Sequence, residues 1–300
     1  MKVFYADHIR FPLPAGHRFP AQKYALLRGE LLRQGILQPN ELYAAEPVAE
    51  ENLLLAHTPE YVQAVRTGSL DARVQRQIGL PWSAELAQRS RASVGGSLQA
   101  ARAALQEGIA GNLGGGTHHA MAHEGMGFCV FNDLAVVSLV LLQQHEAERV
   151  AVVDLDVHQG NGTAAILGSR QDVFLFSMHG ANNYPLHKVP STLDVDLLDD
   201  TGDEAYLEAL DGGLAAVFAF QPQIVLYQAG VDALEQDRLG RLSLSMEGLA
   251  RRDRLVIQGC RQRGIPIVLL MGGGYAEPIQ LTVQAHVQTY RVAKEVFGVE

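Results

Sequence analysis

Cysteine is nearly absent from this chain of 300 residues. The only two cysteines, Cys129 and Cys260, are far apart and neither belongs to a CxxC pair. Disulfide frameworks and thiolate zinc sites both need cysteines at short, regular spacings, so the sequence indicates neither. We expect the protein to work in the reducing environment of the cytoplasm.

Long apolar runs are also missing. No stretch approaches the roughly 18 consecutive apolar residues of a membrane-spanning helix. The opening, MKVFYADHIRF, lacks the apolar segment of a secretory signal peptide. We therefore expect a soluble cytoplasmic protein with no membrane partner.

Positive charge is sparse and is nowhere concentrated. The chain has 24 Lys and Arg against 33 Asp and Glu, a formal net charge of -9. Binding to the phosphates of nucleic acid requires clustered basic residues, so nucleic acid is not an expected partner. A cationic substrate would be tolerated.

The residues that are present predict one large α/β domain. Apolar residues make up 47% of the chain, and no linker, repeat or shift in composition divides it, so we assign residues 1–300 to a single domain. Six runs rich in β-branched residues predict buried parallel strands: 3–6, 111–116, 150–156, 173–179, 224–230 and 266–274. Four segments with helical periodicity lie between them: 83–107, 133–145, 204–220 and 245–263. The alternation predicts an open, doubly wound parallel sheet with helices on both faces, and residues 10–21 a long surface loop.

Polar residues that can perform chemistry follow four of the predicted strands. The segments are GGGTHH (114–119), VVDLDVH (152–158), LYQAGVD (226–232) and LMGGGY (270–275). Ligands of open parallel sheets bind outside the carboxyl ends of the strands, where the loops diverge around one crevice. We expect these four segments to meet there.

Asp156 and His158 are candidate metal ligands. They are two residues apart on an extended chain, so both side chains leave the same face, and Asp232 could add a third ligand from another strand. Two carboxylates and one imidazole leave positions for water and substrate, as in a catalytic zinc site. The alternative is that Asp156 caps a helix and His158 is an ordinary loop histidine, but the convergence of segments favours the metal.

The adjacent His118 and His119 follow three glycines, which allow the backbone to pass close to a ligand. We interpret them as general base and general acid. Asp154 and Asn161 are plausible partners that fix the imidazole tautomers, although Asp154 could instead be a structural carboxylate or bind a monovalent cation.

Tyr275 follows the GGG turn, which could bring its hydroxyl toward the metal. A phenol opposite the ion would stabilise the oxyanion formed when water attacks an amide carbonyl. The alternative is a turn residue that packs on its neighbours.

The segments GGGTHHA, GFCVFND, DLDVHQGNG, AGVDALEQDRLG and GGGY, in this order and spacing, resemble the histone deacetylase and acetylpolyamine amidohydrolase superfamily over essentially the whole chain. HTPEYV (57–62) is similar to an early segment of that family. The QGNG sequence, the Tyr184–Pro185 pair and DRLG look most like class IV deacetylases and their bacterial relatives.

The resemblance implies an arginase-like α/β fold, one catalytic zinc and acyl-lysine as the substrate class. The residues it assigns are zinc ligands Asp156, His158 and Asp232; proton-transfer residues His118 and His119; Tyr275 as carbonyl polariser; a potassium site at Asp154, Asp156, His158, Ser177 and Met178; and a tunnel lined by Gly127 and Phe128 with Tyr184 opposite. Gly273 of GGGY and Leu239 of DRLG are further expected substrate contacts.

Two departures from the pattern affect the expected chemistry. Several relatives carry Asp where this chain has Asn161, and a neutral partner should leave His119 less basic, which keeps the division of labour between the histidines open. Relatives that hydrolyse acetylpolyamines can carry a glutamate where this chain has Leu239, so we expect acyl-lysine rather than acylated polyamines.

Three alternatives stay open at this point. One is an acetylpolyamine or small-molecule amidohydrolase. A second is an arginase-like enzyme with two manganese ions, which the glycine at position 160 and the lone Asp232 disfavour. The third is a noncatalytic module that binds acylated ligands, which the complete residue set disfavours. The sequence leaves the oligomeric state undetermined.

Overall fold

The computed structural model describes residues 1–298, which contain one sheet of eight strands. The strands are β1 Lys2–Tyr5, β2 Leu42–Ala44, β3 Ile109–Asn112, β4 Val150–Asp154, β5 Val173–Gly180, β6 Leu193–Leu197, β7 Ile224–Gln228 and β8 Ile267–Leu270. Their order is β2-β1-β3-β8-β7-β4-β5-β6, and every pairing is parallel. The predicted open parallel sheet is confirmed.

Helices cover both faces of this sheet. They are α1 Lys23–Arg33, α2 Glu50–Leu53, α3 Pro59–Thr67, α4 Ala72–Ile78, α5 Ala84–Glu107, α6 Asp133–Gln143, α7 Asn161–Leu167, α8 Asp203–Ala219, α9 Met246–Arg263 and α10 Ile279–Phe297, with a 3-10 turn at Pro39–Glu41. Along β4, Val150 and Val152 belong to one apolar core, whereas Ala151 and Val153 belong to the other. Because successive side chains of a strand point to opposite faces, both faces are buried.

The long helix α5 shows how local sequence sets an element. The hydroxyl of Ser83 accepts a hydrogen bond from the backbone N–H of Leu86 at 3.1 Å, which caps the first turn. The helix ends at Gly108, whose φ of 86° is the left-handed conformation that favours glycine. The predicted range, 83–107, agrees with the structure to within one residue.

Other predicted boundaries were wrong. Strand β3 begins at Ile109 and ends at Asn112, so residues 114–116 form a loop, and β8 ends at Leu270, before the glycines. The edge strands β2 and β6 were missed because they are short and half-exposed and carry little apolar pattern. Residues 10–21 lie outside regular structure, as predicted, although Phe19 is buried.

Two further sequence observations have structural counterparts. Cys129 and Cys260 are buried free thiols. Among the helices of residues 1–298, none combines the length and the apolar character needed to cross a membrane.

Candidate active site

The four polar segments meet at one edge of the sheet, as predicted. Strands β3, β8, β7 and β4 are consecutive neighbours, and each is followed by one of these segments. They line a single cavity of about 480 Å³. Parallel strands align their carboxyl ends, so this convergence follows from the topology.

Asp156, His158 and Asp232 form the candidate metal site at this edge. Their ligand atoms all lie within 4.8 Å of one another. Nδ1 of His158 is 3.1 Å from Oδ1 of Asp156 and 3.1 Å from Oδ2 of Asp232. Backbone N–H groups hold the other carboxylate oxygens: Gly273 donates to Asp156 Oδ2 at 2.7 Å, and Val157 donates to Asp232 Oδ1 at 2.9 Å. Each carboxylate therefore has one oxygen fixed by the backbone and one turned toward His158.

This group of ligands favours a bound cation. Asp156 and Asp232 are both buried, and burial together with the charge of Asp156 raises the pKa of Asp232 to about 7. Burial opposes charging of His158, but its hydrogen bonds to both carboxylates outweigh this and raise the pKa of His158 to about 10. Two buried carboxylates that stabilise positive charge so strongly, with an imidazole beside them, are a donor set that fits a divalent ion such as zinc.

Position 273 can hold only glycine. A Cβ atom at this position would lie 2.0 Å from Oδ2 of Asp232 and 2.7 Å from Oδ2 of Asp156. Any side chain would therefore displace the candidate ligands. The glycine lets its N–H reach Asp156 directly.

His118 is paired with a carboxylate. Its Nδ1 lies 2.7 Å from Oδ2 of Asp154, and both residues are buried. Burial opposes the imidazolium form, but Asp154 and Asp156 outweigh it and raise the pKa of His118 to about 9. His118 and Asp154 are thus in contact, as the sequence predicted, and the role of Asp154 stays a prediction.

His119 has a neutral partner instead. Its Nδ1 lies 2.8 Å from the amide oxygen of Asn161. Burial, followed by the charges of His118 and His158, holds the pKa of His119 well below its usual value. The two imidazoles are adjacent, with ring centroids 4.1 Å apart, but the pKa of His118 is raised and the pKa of His119 is lowered.

Asn132, which sequence reasoning did not assign, holds the backbone of the histidine pair, and a second unassigned residue, His57, holds Asn132. The side chain of Asn132 donates to the carbonyls of His118 and Ala120, at 3.2 and 3.0 Å, one on each side of His119. The backbone N–H of Asn132 donates to Nε2 of His57 at 2.9 Å. Asn132 lies in GFCVFND and His57 begins HTPEYV. Both motifs were recognised in the sequence, but the sequence did not show that these two residues contact each other.

A third unassigned residue, Asp133, holds the glycine-rich loop before the histidines. This buried carboxylate accepts from the backbone N–H groups of Gly116 and Thr117, at 2.9 and 2.7 Å. It also accepts from the hydroxyl of Ser97 at 2.5 Å. The Thr117 hydroxyl shares its single proton between Asp133, at 2.8 Å, and the carbonyl of Phe131, at 2.5 Å. These donors satisfy the charge of Asp133 and fix the path of the loop.

Tyr275 lines the cavity together with the candidate ligands. Its backbone N–H donates to Oδ2 of Asp237 at 2.6 Å. Oδ1 of Asp237 also accepts from the N–H groups of Leu239 and Gly240, at 2.8 and 3.0 Å. Burial raises the pKa of Tyr275 well above its usual value, which keeps the phenol protonated.

The expected substrate contacts also line the cavity: Gly127, Phe128, Tyr184, Leu239 and Gly273. The ring of Tyr184 is edge-on to that of His119, with centroids 5.0 Å apart, and its hydroxyl is 3.2 Å from Sδ of Met126. Gly127 has a φ of 57°, and a Cβ there would lie 2.7 Å from Cδ2 of His119, so only glycine fits.

Ser177 and Met178, the remaining predicted site residues, lie in β5. Asp154 and Ser177 are register partners across β4 and β5, and Met178 is buried. The hydroxyl of Ser177 is hydrogen-bonded to Nδ1 of His179 at 2.9 Å. Neither residue lines the cavity.

The amino-acid sequence is similar to those of known histone deacetylases. The model of the histone deacetylase domain matches residues 17–290. The chain is 43% identical to an uncharacterized protein of Picosynechococcus sp., over 98% of both chains. It is 32% identical to histone deacetylase 2 of Arabidopsis thaliana, over 86% of this chain and 70% of that protein. It is 30% identical to the histone deacetylase-like amidohydrolase of Pseudomonas aeruginosa, over 89% of this chain and 74% of that protein.

Solved structures share the fold. The crystal structure of an HDAC homolog complexed with SAHA matches with a TM-score of 0.81 and 23% identity, over 100% of this chain and 84% of that chain. An HDAC homolog from Aquifex aeolicus matches with a TM-score of 0.80 and 22% identity, over 99% of this chain and 88% of that chain. The chain, with its arginase-like α/β fold, therefore belongs to the histone deacetylase family and is a hydrolase of the deacetylase type.

Proposed function

We propose that the protein uses one zinc ion to hydrolyse the amide bond of an acylated amine, with acyl-lysine as the substrate class. The observation that carries this proposal is the position of the Asp156, His158 and Asp232 group beside two buried histidines on one cavity. Two carboxylates and one imidazole leave coordination positions for water and a carbonyl oxygen.

Zinc in this group would supply Lewis-acid activation of a water molecule and of the acyl carbonyl. His119 takes the proton of the attacking water. Its lowered pKa favours the neutral imidazole, and the hydrogen bond from Nδ1–H to Asn161 leaves Nε2 as the proton acceptor.

His118 gives a proton to the departing amine. Its Nδ1–H donates to Asp154, and the carboxylates around it favour the imidazolium form, whose Nε2–H is the proton to be transferred. Tyr275 donates its phenolic O–H to the carbonyl oxygen as negative charge develops there, and its raised pKa keeps that proton in place.

The walls of the cavity support acyl-lysine as the substrate. Phe128 and Tyr184 present aromatic surface to the aliphatic part of the side chain. Leu239 gives the mouth no carboxylate for the second ammonium of a polyamine, so desolvation of that charge would go uncompensated.

A potassium ion at Asp154, with oxygens from Asp156, His158, Ser177 and Met178, is part of the proposal. The family resemblance supports it, and so does the register that places Asp154 beside Ser177. We also propose that residues 1–300 act as one catalytic domain.

A substrate panel tests the proposed function. The zinc-loaded protein would be assayed with acyl-lysine peptides, acetylated polyamines and free acylated small molecules. We expect hydrolysis of the peptides, loss of activity on exhaustive chelation and recovery with zinc. Full activity after chelation would contradict the metal-dependent mechanism, whereas peptide binding without turnover would favour the noncatalytic module. Two metal ions per chain would favour the arginase-like alternative.

An aspartate variant tests whether the candidate ligands hold the zinc. Asp232→Ala should lose both bound zinc and activity, because it removes one of three ligands. Asp211→Ala, at an exposed position of α8, is the matched control and should keep both.

A further inference from the structure

The cavity has a cationic lining in an acidic protein. Its lining residues include Arg18, Lys23, Arg76 and Arg241, whereas their only carboxylates are the candidate ligands Asp156 and Asp232. The three arginines are exposed and mark the mouth, whereas Lys23 is buried. Because the chain as a whole carries a formal charge of -9, this local excess of positive charge runs against the composition.

Arg18 and Arg76 both lie next to the wall of the cavity that Gly127 and Phe128 form. The guanidinium carbon of Arg18 is 5.7 Å from the centroid of the Phe128 ring. Arg76 lies in the last turn of α4, and the next two residues contact the wall directly. The N–H of Gly127 donates to the carbonyl of Gln77 at 3.0 Å, and that of Phe128 donates to the carbonyl of Ile78 at 2.8 Å.

The two arginines also lack acidic partners. Within residues 1–298, neither Arg18 nor Arg76 has a carboxylate oxygen within 4.0 Å. Arg73, one turn before Arg76, is paired with Glu124 at 2.9 Å. Arg241 is paired with Asp199 at 3.2 Å. A guanidinium has five N–H donors suited to a carboxylate or phosphate, so Arg18 and Arg76 keep their full capacity for an incoming anion.

We propose that Arg18 and Arg76 make the enzyme selective for substrates that carry an anionic group beside the acylated amine. This inference rests on the proposed hydrolysis of acylated amines and names the preferred members of that class. The anion can be an Asp or Glu flanking an acyl-lysine, or the carboxylate of a free acylated amino acid. A flanking Lys or Arg meets like charge at the mouth instead.

Three peptides that differ only at the positions flanking one acyl-lysine test the selectivity. The flanks are Asp, Asn or Lys, and kcat/KM is measured for each. We expect kcat/KM to fall in the order Asp, Asn, Lys. The span, defined as the ratio of kcat/KM for the Asp peptide to that for the Lys peptide, should be about tenfold at low ionic strength, because each exposed charge pair contributes roughly two- to fivefold. Added salt should reduce the span, because exposed charges are screened. Equal values for the three peptides at low salt would overturn the proposal.

Variants assign the effect to its residues. The double variant Arg18→Gln with Arg76→Gln should abolish the span, measured as the ratio of kcat/KM for the Asp peptide to kcat/KM for the Lys peptide, whatever its rate on the Asn peptide. Arg149→Gln is the matched control, because Arg149 is exposed and precedes β4 at the opposite edge of the sheet. A span that survives in the double variant would also overturn the proposal.

Binding measurements distinguish this proposal from the proposed function. The acyl amide of each peptide is replaced by a ketone isostere, which cannot be hydrolysed as an amide, and Kd is measured by fluorescence anisotropy. If the wild-type protein hydrolyses none of the three peptides, the proposed function fails, but a tighter Kd for the Asp isostere than for the Asn and Lys isosteres still supports the selectivity, and equal Kd values overturn it.

Free Nε-acetyl-lysine and its methyl amide identify the source of the anion. A preference for the free acid assigns the anion to the carboxylate of the substrate itself. A preference seen only among the peptides assigns it to a flanking acidic residue.

Discussion

Nδ1 of His119 lies 2.8 Å from the amide oxygen of Asn161. The adjacent His118 makes the corresponding contact to a carboxylate, that of Asp154, at 2.7 Å. One imidazole therefore has a neutral partner and the other an anionic one, and their pKa values move in opposite directions. The difference in partners underlies the proposed division between a neutral base and a protonated acid.

Asn161→Asp should reduce the difference between the pKa values of His118 and His119. A carboxylate beside Nδ1 stabilises the imidazolium, so the pKa of His119 should rise by about one unit or more. A base must be neutral to act, and a higher pKa means protonation at higher pH. The acid limb of the kcat/KM profile against pH should therefore move to higher pH.

The control for this variant is Asn40→Asp, which adds the same charge at an exposed position remote from the site. Its acid limb should coincide with that of the wild type. An unmoved acid limb in Asn161→Asp would remove His119 from the role of general base.

Tyr275→Phe should keep zinc but lose turnover. The substitution deletes only the phenolic oxygen, and loss of one oxyanion donor costs on the order of a hundredfold in kcat. Zinc content by elemental analysis and single-turnover rates would be measured together. Tyr43→Phe, on the exposed strand β2, is the control. Unchanged turnover in Tyr275→Phe would return Tyr275 to a packing role.

Asp133→Asn should weaken both the fold and the site. Asp133 accepts hydrogen bonds from two backbone N–H groups and two hydroxyls. An amide turns its NH2 group toward some of these donors, so the free energy of unfolding should fall by about 2 to 3 kcal/mol. The activity should also fall, because the loop before His118 loses its anchor.

Urea unfolding and kcat/KM at a temperature where the variant is folded check this prediction. Asp211→Asn, at an exposed position of α8, should change neither quantity. If Asp133→Asn unfolded at the same urea concentration as the wild type, the anchoring role of Asp133 would be wrong.

Parts of the fold were predictable from local signals in the sequence, although the capped helices α3 and α4 were missed. Ser83 and Gly108 fix the ends of α5 through a cap and a left-handed turn, and both signals lie within a few residues of the boundary. The strands at the sheet centre are buried on both faces, so their apolar runs stand out. Strand β2 has no such run, because an edge strand of three half-exposed residues needs little apolar sequence.

The candidate site was predictable in its residues but not in its supports. The sequence order of the four segments already indicated one crevice, since parallel strands align their carboxyl ends. The contacts of His57 could not be predicted in this way. They reach Met121 and Asn132, which are 64 and 75 residues along the chain, and no periodicity connects residues at such separations.

The position of Leu239 gives a test of the preferred amine. Its carbonyl accepts from the side chain of Asn183 at 2.8 Å, and its N–H donates to Asp237 at 2.8 Å, so the backbone is fixed on both sides. The side chain is 41% exposed and lines the cavity. A substitution here can therefore change the charge of the mouth without disturbing the fold.

Leu239→Glu should shift the preference from acyl-lysine peptides toward acetylated spermidine and putrescine. The leucine offers contact area but nothing to compensate for the hydration that a second ammonium loses, whereas a glutamate pairs with that ammonium directly. At this exposed position the gain for polyamines should be about two- to fivefold, as for other exposed charge pairs. The matched control is Leu239→Gln, which has nearly the same shape as glutamate without the charge and should shift the ratio far less. The measurement is kcat/KM for both substrates in all three proteins. A wild-type preference for polyamines would overturn the substrate assignment, and equal ratios in the glutamate and glutamine variants would show that the charge at position 239 does not determine specificity.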